Sequence, residues 1–235
     1  MQEIMSQHPQ KIRILIPGVF RFSMAGLLTS LVLLLVTGPL VKNMERGSMA
    51  ESILLTVVLL AAVQAVGHRK RVLLISGLLA FPAFLGKWLY HFWPDKVLPE
   101  IYLSSGLVFV LFIILQLLRY ILRAPRVDSE VLCAGISTYL MLGLLWAFAY
   151  SVVACRVPGA FAYNGATAPG PDMTGFTGLY FSLITLSTVG YGDITPVCDT
   201  ARMLAALEAL TGTMFVAVLI SRLVSVYSKQ PDGQK

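Results

Sequence analysis

Long apolar stretches alternate with short polar links along this chain. They run over 23–41, 50–67, 72–92, 101–122, 133–153 and 200–225. Roughly twenty apolar residues in a helix cross the hydrocarbon of a bilayer, so the pattern predicts six transmembrane helices. A further apolar stretch, 175–187 ("GFTGLYFSLITLS"), is too short to cross. It predicts a half-length re-entrant helix, with Thr174 or Thr177 capping its start. Residues 156–172 ("RVPGAFAYNGATAPGPD") are rich in Gly, Pro and Ala and predict an irregular outer turret. No internal repeat stands out.

Composition supports lipid as the solvent. The chain is 57% hydrophobic and 13% charged, where a soluble domain carries about a quarter charged residues. The net charge of +6 raises the question of nucleic acid. The basic residues gather at the ends of apolar runs, however, as topology determinants do, so no nucleic-acid partner is expected. Three cysteines without CxxC spacing and three scattered histidines predict neither a disulfide framework nor a metal site. The first apolar run, preceded by Lys11, Arg13 and Arg21, is too long for a cleaved leader.

Orientation follows from the same residues. Basic side chains crowd the N-terminal arm, the link "HRKR" at 68–71, and the link holding Arg119, Arg123 and Arg126. The other links are balanced: Lys42, Glu45 and Arg46 in one, Asp95, Lys96 and Glu100 in the next. Both termini are therefore expected in the cytoplasm and the connection 154–199 outside, in a multi-pass protein of the cell (inner or plasma) membrane. The expected organisation is a cytoplasmic arm over 1–22, a four-helix membrane domain over 23–123, a linker over 124–132, a two-helix unit with its re-entrant segment over 133–227, and a tail over 228–235. Lys87, inside the third stretch, reads as a side chain snorkelling to the outer interface.

The outer connection ends in "ITLSTVGYGDITP", 184–196. Irregular backbone at membrane depth must be buried in protein or line a watery pathway, since lipid satisfies no N–H or C=O group. Carbonyls lining a pathway are what a dehydrated cation requires. "TVGYGD", 188–193, resembles the selectivity filter of potassium channels, and on average residue usage its chance occurrence here is on the order of one in a hundred thousand. Residues 130–228 are similar to the pore unit of the bacterial potassium channel family with six spans per subunit; the first four spans match that family in number and direction only.

The resemblance implies an all-α integral membrane protein in which six transmembrane helices, a re-entrant pore helix and an extended filter build a homotetrameric pore. The carbonyls of Thr188, Val189, Gly190 and Tyr191, with the Thr188 hydroxyl, would replace water around K+. Gly190 and Gly192 would supply the positive φ that such a strip needs, and Asp193 would close it. Val189 and Tyr191 would point away from the axis. Tyr180 and Phe181 stand where many members carry two tryptophans behind the filter, and Ile184 where some carry a carboxylate. Asp193 is placed to pair with Tyr180, whereas Phe181 offers Tyr191 no polar partner. The implied partners are K+, membrane lipid and three further copies of the chain. No cofactor is implied beyond the transported ion.

In the last span, "DTARMLAALEALTGTMFVAVLISRLVSVY" at 199–227, the family register puts Thr213, Val216, Ile220 and Val224 on one pore-facing stripe. Ile220 and Val224 would form an apolar constriction. Gly212 reads either as a hinge or as a small residue permitting close packing. Glu208 is an ionisable group within a span. It reads either as a residue tuning the field or responding to pH, or as a hydrogen-bond partner at the base of the pore helix, at Thr185 or Ser187.

Six spans also raise voltage sensing. A sensing helix carries several basic residues across the field. The fourth stretch, "IYLSSGLVFVLFIILQLL" at 101–118, carries none, and Arg119, Arg123 and Arg126 follow only at its cytoplasmic end. Steep voltage dependence is not expected, and the short tail is expected to hold no nucleotide- or Ca2+-binding domain. The spans present no nucleophile–base pair and no phosphate loop, so no enzyme is expected. The alternatives are a voltage-gated potassium channel, a potassium transporter subunit, or a regulatory subunit that co-assembles with another channel.

Overall fold

A computed structural model of the chain describes residues 19–42, 47–67, 70–92, 98–164 and 173–227. Most of the expected N-terminal arm, the tail 228–235, turret residues 165–172 and the link charges Glu45, Arg46, Arg69, Asp95 and Lys96 lie outside these. The elements are α1 (Val19–Lys42), α2 (Gly47–Val66), α3 (Lys70–Phe92), α4 (Leu98–Arg123), α5 (Ser129–Arg156), β1 (Phe161–Tyr163), α6 (Gly175–Leu186), β2 (Ile194–Pro196) and α7 (Asp199–Tyr227). Six helices among the described residues are long and apolar enough to cross a membrane, and α6 is the short seventh. They overlap the six expected stretches and extend them at the ends with capping and polar residues. Asp128, for example, starts α5 four residues before the apolar run by accepting from Val131 N at 3.0 Å.

Helix α4 is the spine of the four-helix half. It packs against α3 on one side and α5 on the other, while α1 packs on α2 and α5. Tyr102, Gly106, Phe109, Val110, Ile113, Ile114, Leu117 and Ile121 recur at helical spacing and are buried. That buried face is apolar throughout its middle, and Arg119, Arg123 and Arg126 are exposed. Pro125 closes α4, since proline cannot donate to the preceding turn. Arg222 of α7 then donates through Nη2 to the carbonyls of Leu122 (2.9 Å) and Ala124 (3.0 Å). A cation thus satisfies the carbonyl end of α4 and ties the far end of α7 to the four-helix half.

Lys87 has partners beyond the snorkelling expected of it. Its ammonium lies 3.7 Å from the Glu51 carboxylate and 5.5 Å from the centre of the Tyr102 ring. The acid comes from α2 and the ring from α4, and the sequence places neither of them near Lys87.

The turret differs from expectation as well. Helix α5 runs on to Arg156, and Phe161–Tyr163 pairs antiparallel with Ile194–Pro196 in the register Phe161↔Pro196, Ala162↔Thr195, Tyr163↔Ile194. Strands of three residues carry too little alternation to be read from pattern. This ribbon fixes the chain directly after the glycine-rich strip.

Candidate ion pathway

Three helices position the strip. Helix α6 lies against α5 and α7. The seam to α5 is lined by small residues: a Cβ on Gly143 would come within 2.7 Å of Leu183 Cδ2, and one on Gly178 within 3.4 Å of the Ala147 carbonyl oxygen. Close approach of this kind is how helices associate where lipid offers no hydrophobic drive. Phe181 packs edge-on against Tyr150 (4.9 Å between ring centres) and Phe161 (5.5 Å). It braces α6 against α5 and the turret ribbon.

At its start α6 differs from the sequence reading. Thr174 occupies the N-cap with extended backbone, but its side chain makes no capping bond, and Thr177 is buried in the first turn. The carboxylate of Glu51, from α2, lies instead against Gly175, in the space a β-carbon would fill. A negative group suits the partial positive charge at a helix N-terminus. Gly175 also has φ +59. Gly175→Ala is therefore expected to displace Glu51 from Lys87 and, through the left-handed backbone alone, to cost about 1–2 kcal/mol. A lower thermal midpoint of the purified protein checks this.

The strip leaves the other end of α6. Thr188 N–H donates to Thr185 O (2.9 Å), and the N–H groups of Val189 and Gly190 both donate to Ile184 O (2.9 and 3.1 Å). Ile184 thus supports the strip through its carbonyl. Thr188, Gly190 and Gly192 have φ of +59, +53 and +77. Every second residue is left-handed, which turns successive carbonyls toward one side, and no hydrogen bond among the described residues ends on the carbonyls of Thr188, Val189, Gly190 or Tyr191. Thr188 shares the conformation of the glycines, a feature the sequence hides behind a β-branched side chain. Val189 and Tyr191 are largely exposed on the single chain.

The outer end is tied twice. Tyr180 Oη donates to Asp193 Oδ2 at 2.8 Å, and this bond holds the phenol above its ordinary pKa. Asn164 in the turret donates its side-chain N–H to Gly192 O (2.6 Å) and its backbone N–H to Asp193 O (2.8 Å). Asn164 escaped the sequence reading because nothing in a Gly/Ala-rich loop singles it out.

Glu208 is wholly buried. Tyr150 of α5 and Ser182 of α6 each bond to its carboxyl group. These are not the partners expected at the base of α6: the hydroxyls of Thr185 and Ser187 bond back to Phe181 O and Leu183 O of their own helix. One turn along α7, Gly212 is buried, and a β-carbon there would run into the carbonyl of Leu186, the last residue of α6. Helix α7 continues unbroken through this point. Thr213, Val216, Ile220 and Val224 are all exposed on the single chain.

Fold and site together define a multi-pass helical membrane protein whose last two spans enclose a re-entrant helix and a carbonyl-lined strip. Residues 136–229 match the Ion_trans_2 family, described as an ion channel, so an ion-channel domain is present in this half. Among similar proteins, "Two pore potassium channel c" of Oryza sativa subsp. japonica is 36% identical over 34% of this chain and 18% of its own length. "Two-pore potassium channel 4" of Arabidopsis thaliana is 48% identical over 20% of this chain and 16% of its own. The human "Voltage-gated potassium channel regulatory subunit KCNG1" is 26% identical over 53% of this chain and 25% of its own. The chain thus spans a quarter or less of the length of these curated relatives. No solved structure matches it.

Proposed function

We propose that this protein is a potassium-selective channel that passes K+ down its gradient through a homotetrameric pore. One observation carries the reading. The N–H groups of Thr188, Val189 and Gly190 turn back into the pore helix, and four consecutive carbonyls have no hydrogen-bond partner among the described residues. A cation is the natural ligand for such a row, and one row cannot surround an ion. Rings of four filter loops are the known solution, and closed cyclic symmetry is common among oligomers. The exposed apolar face of α7, including Met203, Leu207, Leu210 and Met214, supports assembly around an axis.

In this reading Val189 and Tyr191 are covered by neighbouring subunits, Thr213, Val216, Ile220 and Val224 face the pore, and the termini lie in the cytoplasm. The apolar middle of α4 argues against steep voltage gating. A second reading, a regulatory subunit that co-assembles with another channel, draws on the similarity to human KCNG1. Reconstitution of the purified chain alone decides between them. Liposomes holding it should pass K+ far faster than Na+, and Tyr191→Asp should abolish that preference while the particle keeps its mass. A silent homo-oligomer would favour the second reading, and equal K+ and Na+ flux would remove selectivity from the first.

A further inference from the structure

Around Glu208 the hydrogens can be counted. Ser182 Oγ lies 2.5 Å from Glu208 Oε1 and 2.7 Å from the carbonyl oxygen of Gly143, while Tyr150 Oη meets Glu208 Oε2. Three contacts need three hydrogens. A serine hydroxyl has one, a tyrosine hydroxyl has one, and a backbone carbonyl has none. The Gly143 carbonyl can only accept, so it takes the hydrogen of Ser182. Tyr150 gives its own to Glu208. The contact between Ser182 and Glu208 is then left with two oxygens and no hydrogen, unless the carboxyl group brings one. An ionised carboxylate is acceptor-only and would press lone pairs against lone pairs at that distance.

The surroundings agree. Glu208 is wholly buried, and the three ion pairs among the described residues involve Lys87, Arg156 and Arg202 with other acids. A buried carboxylate without a cation neutralises rather than bear the desolvation cost.

We propose that Glu208 is a neutral carboxylic acid that positions the pore helix. Its Oε1–H donates to Ser182 Oγ, Ser182 donates to Gly143 O, and Tyr150 donates to Oε2. This closed chain joins α7 to α6 and both to α5. It also sets register, because Ser182 and Leu186 are one turn apart on α6, as Glu208 and Gly212 are on α7. The first pair is tied by a hydrogen bond and the second is seated by contact. From that seat α6 presents the Ile184 and Thr185 carbonyls that hold the strip. Nothing in this role needs a charge.

The sharpest test is spectroscopic and does not depend on conduction. An infrared difference spectrum between the wild type and Glu208→Gln, in lipid at neutral pH, should show the carbonyl stretch of a protonated carboxylic acid. The same band should shift in Ser182→Ala, which supplies the measurement if the Gln variant does not assemble. Only carboxylate bands in these spectra would overturn the proposal.

A second measurement rests on the channel reading above. Glutamine can donate to Ser182 and accept from Tyr150, so Glu208→Gln should keep the K+ over Na+ preference. Glu208→Asp keeps the acid but is one methylene short, and should lose that preference several-fold. The reverse ranking would mean that charge matters and would overturn the proposal. If the wild type itself shows no K+ preference, the channel reading fails and the infrared result still decides the state of Glu208.

Discussion

Gly212→Ala should unseat the pore helix and remove K+ flux, even though it adds only a methyl group. The β-carbon at 212 falls on the Leu186 carbonyl, which is backbone and has no rotamer to escape into. Either α7 moves outward or the end of α6 moves inward, and overpacking of this kind costs about 1–3 kcal/mol. The same small movement reaches the strip, because Thr185 and Ile184 hold the N–H groups of 188–190 from the last turn of α6. Two measurements separate this from a hinge role. If Gly212 serves only to let α7 bend, alanine leaves thermal stability unchanged and alters opening alone. If it serves contact, the thermal midpoint and the flux fall together, and Gly212→Val is worse than Gly212→Ala in both. A variant of wild-type stability with slow opening would rule out the contact account.

What could be read in advance divides by distance along the chain. Spans, the half-length helix and the glycine-bent strip are written in consecutive residues, and hydropathy and φ requirements are local properties. The polar ties between elements are not. Tyr150 in an apolar run resembles any interfacial aromatic, and Ser182 any small residue of a membrane helix. What makes them partners of Glu208 is the rotation of α5 and α6 about their axes, which no local spacing encodes. The partners of Lys87 are hidden for the same reason, since Glu51 and Tyr102 come from two other helices. Thr185 and Ser187 were plausible partners for Glu208 by depth. In the structure they satisfy themselves within α6, as serine and threonine in helices often do by bonding to a carbonyl one turn back. The family resemblance located the strip; it carried no information about Asn164, Glu51 or Arg222, which fix the strip, the pore helix and the inner helix from outside the motif.

Gly190→Ala should remove selectivity rather than assembly. Position 190 has φ +53 and open space where a β-carbon would stand in the single chain, so the obstacle is conformational. An L-residue held left-handed costs roughly 1–2 kcal/mol in each strip. A strip that relaxes to negative φ turns its carbonyl out of the row that the proposed function makes the ion site. Thr188 accepts the same conformation (φ +59), with its N–H bonded to Thr185 O. Gly190 is held by a longer bond to the already shared Ile184 carbonyl, so it has the weaker anchor against relaxation. A β-carbon at 190 meets nothing within 4 Å, so the particle should keep its mass and most of its thermal stability. K+ flux should fall toward that of protein-free liposomes, or persist with Na+ passing equally. Thr29→Ala, whose hydroxyl bonds to the Ala25 carbonyl within α1, provides the control that should behave as wild type. A Gly190→Ala protein that still prefers K+ would mean that the carbonyls of this strip do not form the ion's cage.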